Sequence, residues 1–354
     1  MAKKIHELAQ TSATFQVRGI VTGMKKEKAY QSGKTKSGGD WNSLDFGVNI
    51  NNNKTVFLTL KGFPRPEVFY YKGGAKGEKG TTVKVPWKDR KKSPGKDYRL
   101  IGINISTGKD ENGKNVNEMF AEYDAVEYLA KSLSDGDSVF IKGNMVFSSY
   151  TDKNDQTKRK IELNPTQISY TQKPVDFDAE DYVEMAEFEN TLVFSEINKE
   201  TDENSKATGR FVLSGYSVGY SAIEPVSFVI DAEHAGVANA IKKKMNPANS
   251  IKTYGRISVE TSTETVVEDD GWGSTEVSPM ERQNAPVKRE YIVYKVAGET
   301  FEKEKYTEEK IAAAIKAIKN AKKAEEKFVA EEDTDVDSGW GDDDDTPFDT
   351  DWED

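Results

Sequence analysis

The chain of 354 residues contains no cysteine and only two histidines, and these absences remove several kinds of chemistry. Without cysteine it forms no disulfide, carries no thiol nucleophile and holds no thiolate zinc site. His6 and His234 lie far apart in sequence, so a histidine-rich metal site or a serine–histidine–aspartate triad has little material. No paired carboxylates stand in a hydrolase context, and no acidic run has calcium-loop spacing. We therefore expect a protein that is not an enzyme and needs no cofactor.

Long apolar runs are missing as well. No stretch of about 18 apolar residues occurs, so we predict no membrane span and no membrane partner. The N-terminal sequence MAKKIHELAQ has charge but no apolar core, which is not typical of a signal peptide. The expected location is the cytoplasm.

Charge is divided unevenly along the chain. Residues 1–173 carry 30 basic and 19 acidic side chains, a net charge of +11. Residues 174–354 carry 20 basic and 42 acidic side chains, a net charge of −22. The last 24 residues, from Glu331, hold 13 acidic side chains and no basic one. A basic first half joined to an acidic tail is typical of proteins that work on nucleic acids.

The two halves of the chain follow the same order of strands and helix. Apolar–polar alternation predicts three strands, then a short helix over 122–133 or 234–244, then two further strands. Gly143 and Gly255 occupy matching places after these helices, which favours an internal duplication. Five strands with a helix between the third and fourth is the order of the OB-fold. We therefore predict an all-β-dominated protein, with β-barrels and short helices.

This pattern predicts four regions. Residues 1–173 form an N-terminal OB-fold, in which proline and glycine make residues 64–97 a long basic and aromatic loop. Residues 174–187 form an acidic linker, and residues 188–330 form a second OB-fold followed by an amphipathic helix over 307–328. Residues 331–354 form a disordered acidic tail.

Cations and aromatic rings cluster where an OB-fold binds single strands, namely the second and third strands and the loops beside them. Lysines can neutralise phosphates, and rings can stack on bases. The alternative is that the rings cover the barrel and the lysines are merely solvated. The second half is acidic, so we expect it to contribute less. The candidate nucleic-acid-binding residues are Lys25, Lys26, Lys28, Tyr30, Lys34, Lys36, Trp41, Lys61, Phe63, Arg65, Phe69, Tyr70, Tyr71, Lys72, Trp87, Lys88, Arg90, Lys91 and Lys92, and in the second half Arg210, Tyr216, Tyr220, Lys252, Tyr254 and Arg256.

The tail SGWGDDDDTPFDTDWED places four aspartates directly before Thr-Pro-Phe. In this it resembles phage- or plasmid-type single-stranded DNA-binding proteins, because bacterial members of that family end in an acidic run followed by Pro-Phe. The resemblance implies that the tail docks replication and repair enzymes. In that family the phenylalanine is the last residue, whereas here DTDWED follows it, and we expect Trp352 to share the anchor role. The candidate partner-binding residues are Asp342, Asp343, Asp344, Asp345, Pro347, Phe348 and Trp352.

Together, the basic loops and the tail predict a sequence-independent single-stranded DNA-binding protein. It would coat and protect exposed strands in DNA replication, recombination and repair, and would recruit enzymes through its tail. We expect a monomer or weak oligomer, in the host cytoplasm if a phage encodes it. Two alternatives stay open: an acidic-tailed protein that mimics DNA and binds a basic protein partner, and a single-stranded RNA-binding OB-fold protein.

Overall fold

The computed structural model describes residues 5–35, 37–75, 78–111, 113, 115–152, 156–202, 204–261 and 287–332. Within these ranges no helix is long and apolar enough to cross a membrane. The strands are β1 (Ala13–Thr22), β2 (Tyr30–Lys34), β3 (Asp40–Asn51), β4 (Lys54–Gly62), β5 (Glu67–Lys72), β6 (Thr81–Pro86), β7 (Arg99–Leu100), β8 (Ile103–Lys109), β9 (Asn115–Phe120), β10 (Ser138–Thr151), β11 (Thr157–Tyr170), β12 (Met185–Thr201), β13 (Ala207–Val218), β14 (Ile223–Ile230), β15 (Ser250–Thr261) and β16 (Val287–Glu302). The helices are α1 (Glu122–Ser132), α2 (Ala235–Lys244) and α3 (Glu308–Glu332).

The first barrel is built from β1, β3, β4, β10 and β11. Strand β1 pairs with β3 and β10, while β3 pairs with β4 and β10 pairs with β11. Alternation along β1 turns Phe15, Val17 and Val21 into the barrel and leaves the residues between them outside. Helix α1 follows β4 and buries Val126 and Leu129 in the same core.

The second barrel repeats this arrangement with β12 to β16. Strand β12 pairs with β13 and β15, β13 pairs with β14, and β15 pairs with β16. A parallel contact between β14 and β16 closes the barrel, and α2 lies between the third and fourth strands. The predicted OB-fold order of five strands and one helix is therefore confirmed in the pairing.

The two barrels are joined as an internal pseudo-dimer. Strands β1 and β12 pair antiparallel, with Phe15 directly opposite Phe188. Each of these phenylalanines also pairs with a glycine on its other neighbouring strand, Phe15 with Gly143 in β10 and Phe188 with Gly255 in β15. Both glycines lie at a β-bulge. A side chain at either glycine would collide with the ring beside it. This double match at equivalent positions is strong evidence for the duplication.

Residues 64–97 do not form the long loop that the sequence predicts. Strands β5, β6 and β7 make a separate three-stranded sheet, which we call the small sheet. Its inner face buries Val68, Tyr70 and Val85 against Ala121. The prolines and glycines lie at strand ends and turns. Because they are frequent, the sequence pattern does not reveal the two short strands β5 and β6 between them.

The segment before β12 is fastened to the first barrel. Arg18 donates from Nη2 to the Val183 carbonyl at 2.7 Å, and the Tyr182 hydroxyl donates to the Ile50 carbonyl. Strand β12 begins at Met185, inside the residues 174–187 that the sequence predicts as a linker. The segment therefore runs as a strap against β1 and β3.

Helix α3 packs on the second barrel beside the N-terminal segment. Ile311 and Ala314 are buried with Leu8 and Tyr306, and the Tyr306 hydroxyl donates to the Ala9 carbonyl at 3.0 Å. Thr307 caps the start of the helix, because the Lys310 amide donates to its hydroxyl at 3.2 Å. Residues 333–354, which include most of the predicted tail, lie outside the described residues.

Candidate nucleic-acid interface

The loop between β1 and β3 forms an arm that carries lysines, and we call residues 23–39 the arm. Its base is fixed, because the Met24 amide donates to Asp135 at 2.8 Å and the Asp45 amide donates to the Ala29 carbonyl at 2.8 Å. Lys25 and Lys28 are exposed, and neither has a carboxylate partner among the described residues. Lys26 is exposed beside them, and Lys36 lies outside the described residues.

Two rings stand at the outer part of the arm. Tyr30 is 39% exposed in β2, and Trp41 is half-buried in β3 opposite Gly33. The Trp41 indole lies against Gly33, where an added side-chain carbon would come within 3.1 Å of it. The missing side chain at Gly33 therefore lets the indole lie across the strand. Lys34, 3.6 Å from Asp40 in a largely exposed pair, adds a weakly held cation at the same place.

The outer face of the small sheet presents a second pair of rings. Alternation along β5 buries Val68 and Tyr70 and turns Phe69 and Tyr71 outward, with Tyr71 45% exposed. Lys84 lies 5.6 Å from the centre of the Phe69 ring, and Arg99 is the register partner of Tyr71. Rings and cations thus share one face, the arrangement that stacking on a single strand requires.

Tyr70 is not part of this face. Its side chain is only 5% exposed, and its hydroxyl donates to the Arg90 carbonyl at 2.6 Å. A loop over residues 64–97, as the sequence predicts, does not account for the burial of Tyr70, which occurs because the small sheet has a core of its own. The ring is therefore not available to a base.

A buried ion pair joins the small sheet to the barrel. Arg90 donates from Nε and Nη2 to the two Asp124 carboxylate oxygens, at 2.7 and 2.8 Å. This hydrogen bonding raises the pKa of Arg90 further above its usual value. The guanidinium also lies 4.2 Å from the centre of the Trp87 ring. Arg90 and Trp87 therefore have structural partners, and Arg90 is not a free cation for phosphate.

Tyr123 is a candidate that the sequence analysis missed. It lies at the start of α1, with its ring edge-on to Trp87 at 6.3 Å and its carbonyl accepting from Asn42 at 3.0 Å. Burial, followed by the nearby charge of Glu127, raises its pKa, so the hydroxyl stays protonated. Its position between the small sheet and β3 depends on tertiary packing. The available signal was an aromatic residue in the first turn of the predicted helix.

The remaining first-barrel cations are mostly paired. Lys88 is an exception, because among the described residues its side chain makes no ion pair within 4 Å and its charge only acts on the neighbouring Asp89. Phe63 is 42% exposed. Most of the paired cations are substantially exposed, so each such bond is weak and a phosphate can displace the carboxylate. The pairs are Lys61 with Glu162 at 3.0 Å, Arg65 with Glu122 at 2.6 Å, Lys72 with Asp97 at 2.8 Å, Lys91 with Asp124 at 3.8 Å and Lys92 with Asp89 at 2.9 Å.

The second-barrel candidates do not make a comparable surface. Arg210 binds Glu290 at 2.6 Å, Asp231 at 3.2 Å and Glu200 at 3.3 Å. Arg256 also binds Asp231, at 2.7 Å, and Lys252 lies 3.3 Å from Glu189. Tyr216 packs against the cluster under α3, Tyr254 is half-buried and Tyr220 is 44% exposed. The structure thus brings these cations to carboxylates.

Two further expectations concern other parts of the chain. The tail candidates Asp342 to Asp345, Pro347, Phe348 and Trp352 lie outside the described residues. Within the described ranges, no group of three or more histidine, cysteine or carboxylate side chains is placed to hold a metal ion.

Comparison with known proteins gives a family. A family model described as YorF matches residues 72–331, and no curated protein matches the chain. Among solved structures, wild-type single-stranded DNA binding protein from Thermus aquaticus is similar at 10% identity and a TM-score of 0.36, covering 82% of this chain and 93% of that chain. A deletion mutant of the same protein is similar at 9% identity and a TM-score of 0.38, covering 82% of this chain and 95% of that chain.

Proposed function

The chain belongs to the YorF family, and we propose that it is a single-stranded DNA-binding protein whose first barrel holds the strand. One observation carries this proposal. The arm and the small sheet, two insertions in one barrel, both present exposed rings next to cations. Neither insertion is needed to close the barrel, so their composition calls for another explanation.

The chemistry of these residues suits a flexible polyanion with accessible bases. Lysines without fixed partners can follow phosphates at low cost, because they give up no existing ion pair. A ring that stacks on a base contributes about 1–3 kcal/mol whichever base it is. The proposed stacking residues are Tyr30 on the arm, Trp41 beside it in β3, and Phe69 and Tyr71 on the small sheet. Binding of this kind is largely independent of sequence.

The cellular role follows from such binding. We propose that the protein coats and protects single strands in replication, recombination and repair. The proposed regions are an N-terminal OB-fold at 1–173, a linker at 174–187, a second OB-fold with its helix at 188–330 and an acidic tail at 331–354. Its acidic tail would recruit enzymes through Phe348 and Trp352, two apolar anchors within a strip of aspartates. This second part rests on the sequence alone.

The first test is a competition experiment. Fluorescence anisotropy of a labelled dT oligonucleotide would be measured with the full chain, with unlabelled dT, duplex DNA or single-stranded RNA of equal length as competitors. We expect dT to compete best, because duplex DNA hides its bases from the rings. Stronger competition by RNA would favour an RNA-binding function instead. No binding even at low salt would overturn the proposal.

A further inference from the structure

A groove crosses the seam between the two barrels on the outer face of β1 and β12. We propose that this groove holds one base of the bound strand, and that it prefers bases with an amino group to thymine. This inference rests on the proposed function and adds a base preference to it. The groove has a volume of about 510 Å³, and its walls include Gln16, Lys142, Glu187, Glu189, Tyr254 and Tyr294.

The groove is aromatic on one side only. Tyr254 directly precedes the bulge glycine Gly255, as Lys142 precedes Gly143 in the first barrel. Tyr294 corresponds in the same way to Thr166, since the residues before them pair with the two glycines. The duplication therefore gives equivalent backbone positions, and at these two positions only the second barrel has rings. Lys295 lies 5.5 Å from the centre of the Tyr254 ring.

The polar groups of the groove suit a base better than a phosphate. Glu187 accepts a hydrogen bond from Gln16 Nε2 at 2.9 Å through one oxygen, which leaves the other oxygen as an acceptor. Glu189 contacts Lys252 at 3.3 Å, also through one oxygen. A carboxylate accepts from the amino group of cytosine, whereas it repels the O4 carbonyl of thymine and a phosphate. Burial, followed by the charge of Glu187, raises the pKa of Tyr294, so its hydroxyl remains a donor.

The test compares two pyrimidine oligonucleotides. A dC and a dT oligonucleotide of equal length, labelled alike, would be titrated with the full chain at pH 8. We expect about tenfold tighter binding of dC, from the hydrogen bond of an amino group to a carboxylate. Glu187→Gln should reduce this preference to less than about threefold, because the carboxylate is the proposed acceptor of the amino group. The matched control is Glu196→Gln, an exposed carboxylate on the same strand β12 and outside the groove.

A second readout locates the base directly. A dC oligonucleotide with 5-iodocytosine would be cross-linked by ultraviolet light, and the modified peptides identified by mass spectrometry. We expect cross-links at Tyr254 or Tyr294, and their loss in Tyr294→Thr, which installs the first-barrel residue at the equivalent position. Free deoxycytidine monophosphate should compete poorly with the oligonucleotide, because the first barrel also binds the strand and makes no such contacts with a single nucleotide.

The outcomes separate the two proposals. Salt-sensitive dT binding without a dC preference, or a preference that survives Glu187→Gln, would overturn the groove and leave the proposed function intact. Efficient competition by the free mononucleotide would make the groove a nucleotide site and contradict its role for the strand. If neither oligonucleotide binds, both proposals fail.

Discussion

Lys25 and Lys28 stand on the first barrel without a carboxylate partner among the described residues, whereas Arg210 and Arg256 on the second barrel share Asp231. The two barrels have the same strand order, but Lys25 and Lys28 lie on the arm, an insertion of the first barrel, whereas Arg210 and Arg256 lie in strands of the second barrel. A cation that is already paired must lose that pair before it neutralises a phosphate. The count of basic residues is therefore a poorer guide to a nucleic-acid surface than the pairing of each one.

The interiors of the barrels differ as well. Two residues after the phenylalanine at the seam, the first barrel has Val17 opposite Ile141, and the second has Asn190 opposite Thr253. Asn190 is 1% exposed, and neither its side-chain oxygen nor its nitrogen has a hydrogen-bond partner among the described residues. The first barrel is apolar at this position, whereas the second holds an uncompensated amide.

The largest expected effect comes from breaking the ion pair that fixes the small sheet. Asp124→Ala should lower the free energy of unfolding by about 3–5 kcal/mol, because it leaves the Arg90 guanidinium poorly solvated and unpaired. Urea denaturation followed by circular dichroism measures this change. Asp97→Ala, which breaks the exposed pair with Lys72, is the control and should leave the free energy of unfolding nearly unchanged. Equal losses in the two variants would contradict the structural role of Asp124.

The stacking face should matter next. Replacing Phe69 and Tyr71 together by alanine should weaken dT binding by at least about fivefold per ring, since each stacked base contributes about 1–3 kcal/mol. The matched control is Tyr220→Ala, which removes a ring of similar exposure, 44% against 45% for Tyr71, from the second barrel. Anisotropy titrations at one salt concentration compare the three proteins. An equal loss in the control would show that the rings of the small sheet have no special role.

The buried amide offers a gain in stability. Asn190→Val installs the first-barrel residue and should raise the free energy of unfolding by about 1–3 kcal/mol, because it removes an unsatisfied buried amide. The reciprocal change, Val17→Asn, should lower it by a similar amount. Thermal unfolding of both variants measures whether the free energy of unfolding rises in one and falls in the other. A loss of stability in Asn190→Val would mean that the amide is satisfied in solution.

A smaller gain is expected at Ala248, which has a φ of 67°. Ala248→Gly should stabilise the chain by about 1 kcal/mol, since a side chain in the left-handed region is strained. Ala238→Gly, in the middle of α2, should destabilise it by about 1 kcal/mol instead. The melting temperature should rise in Ala248→Gly and fall in Ala238→Gly. A fall in both variants would contradict backbone strain at Ala248.

The sequence predicted the barrels well because strand alternation and helix periodicity are local patterns. FQVRGIVT alternates as β1 does, and EYDAVEYLAKSL has the apolar spacing of α1. The small sheet was missed because β5 and β6 are each six residues long and are surrounded by turn residues. Short strands of this kind are defined by their partners more than by their own composition.

The candidate site was less predictable. Exposure of Tyr71 and burial of Tyr70 follow from alternation once β5 is known, but a loop gives no such rule. The partners of the arginines are distant in sequence: Asp124 lies 34 residues after Arg90, and Glu290 lies 80 residues after Arg210. Such pairs are set by the tertiary fold, which a pattern of single residues does not contain.

The most direct test of the proposal that the first barrel holds the strand is the salt dependence of binding. The logarithm of the dT affinity would be plotted against the logarithm of salt concentration for the full chain, for Lys25→Ala with Lys28→Ala, and for Lys242→Ala with Lys243→Ala. The last pair removes exposed lysines from α2 on the second barrel. The account predicts a slope shallower by about 1.4 for the arm variant, because each phosphate contact contributes about 0.7, and no change for the α2 variant. Equal slopes for the arm variant and the unmodified chain would contradict it.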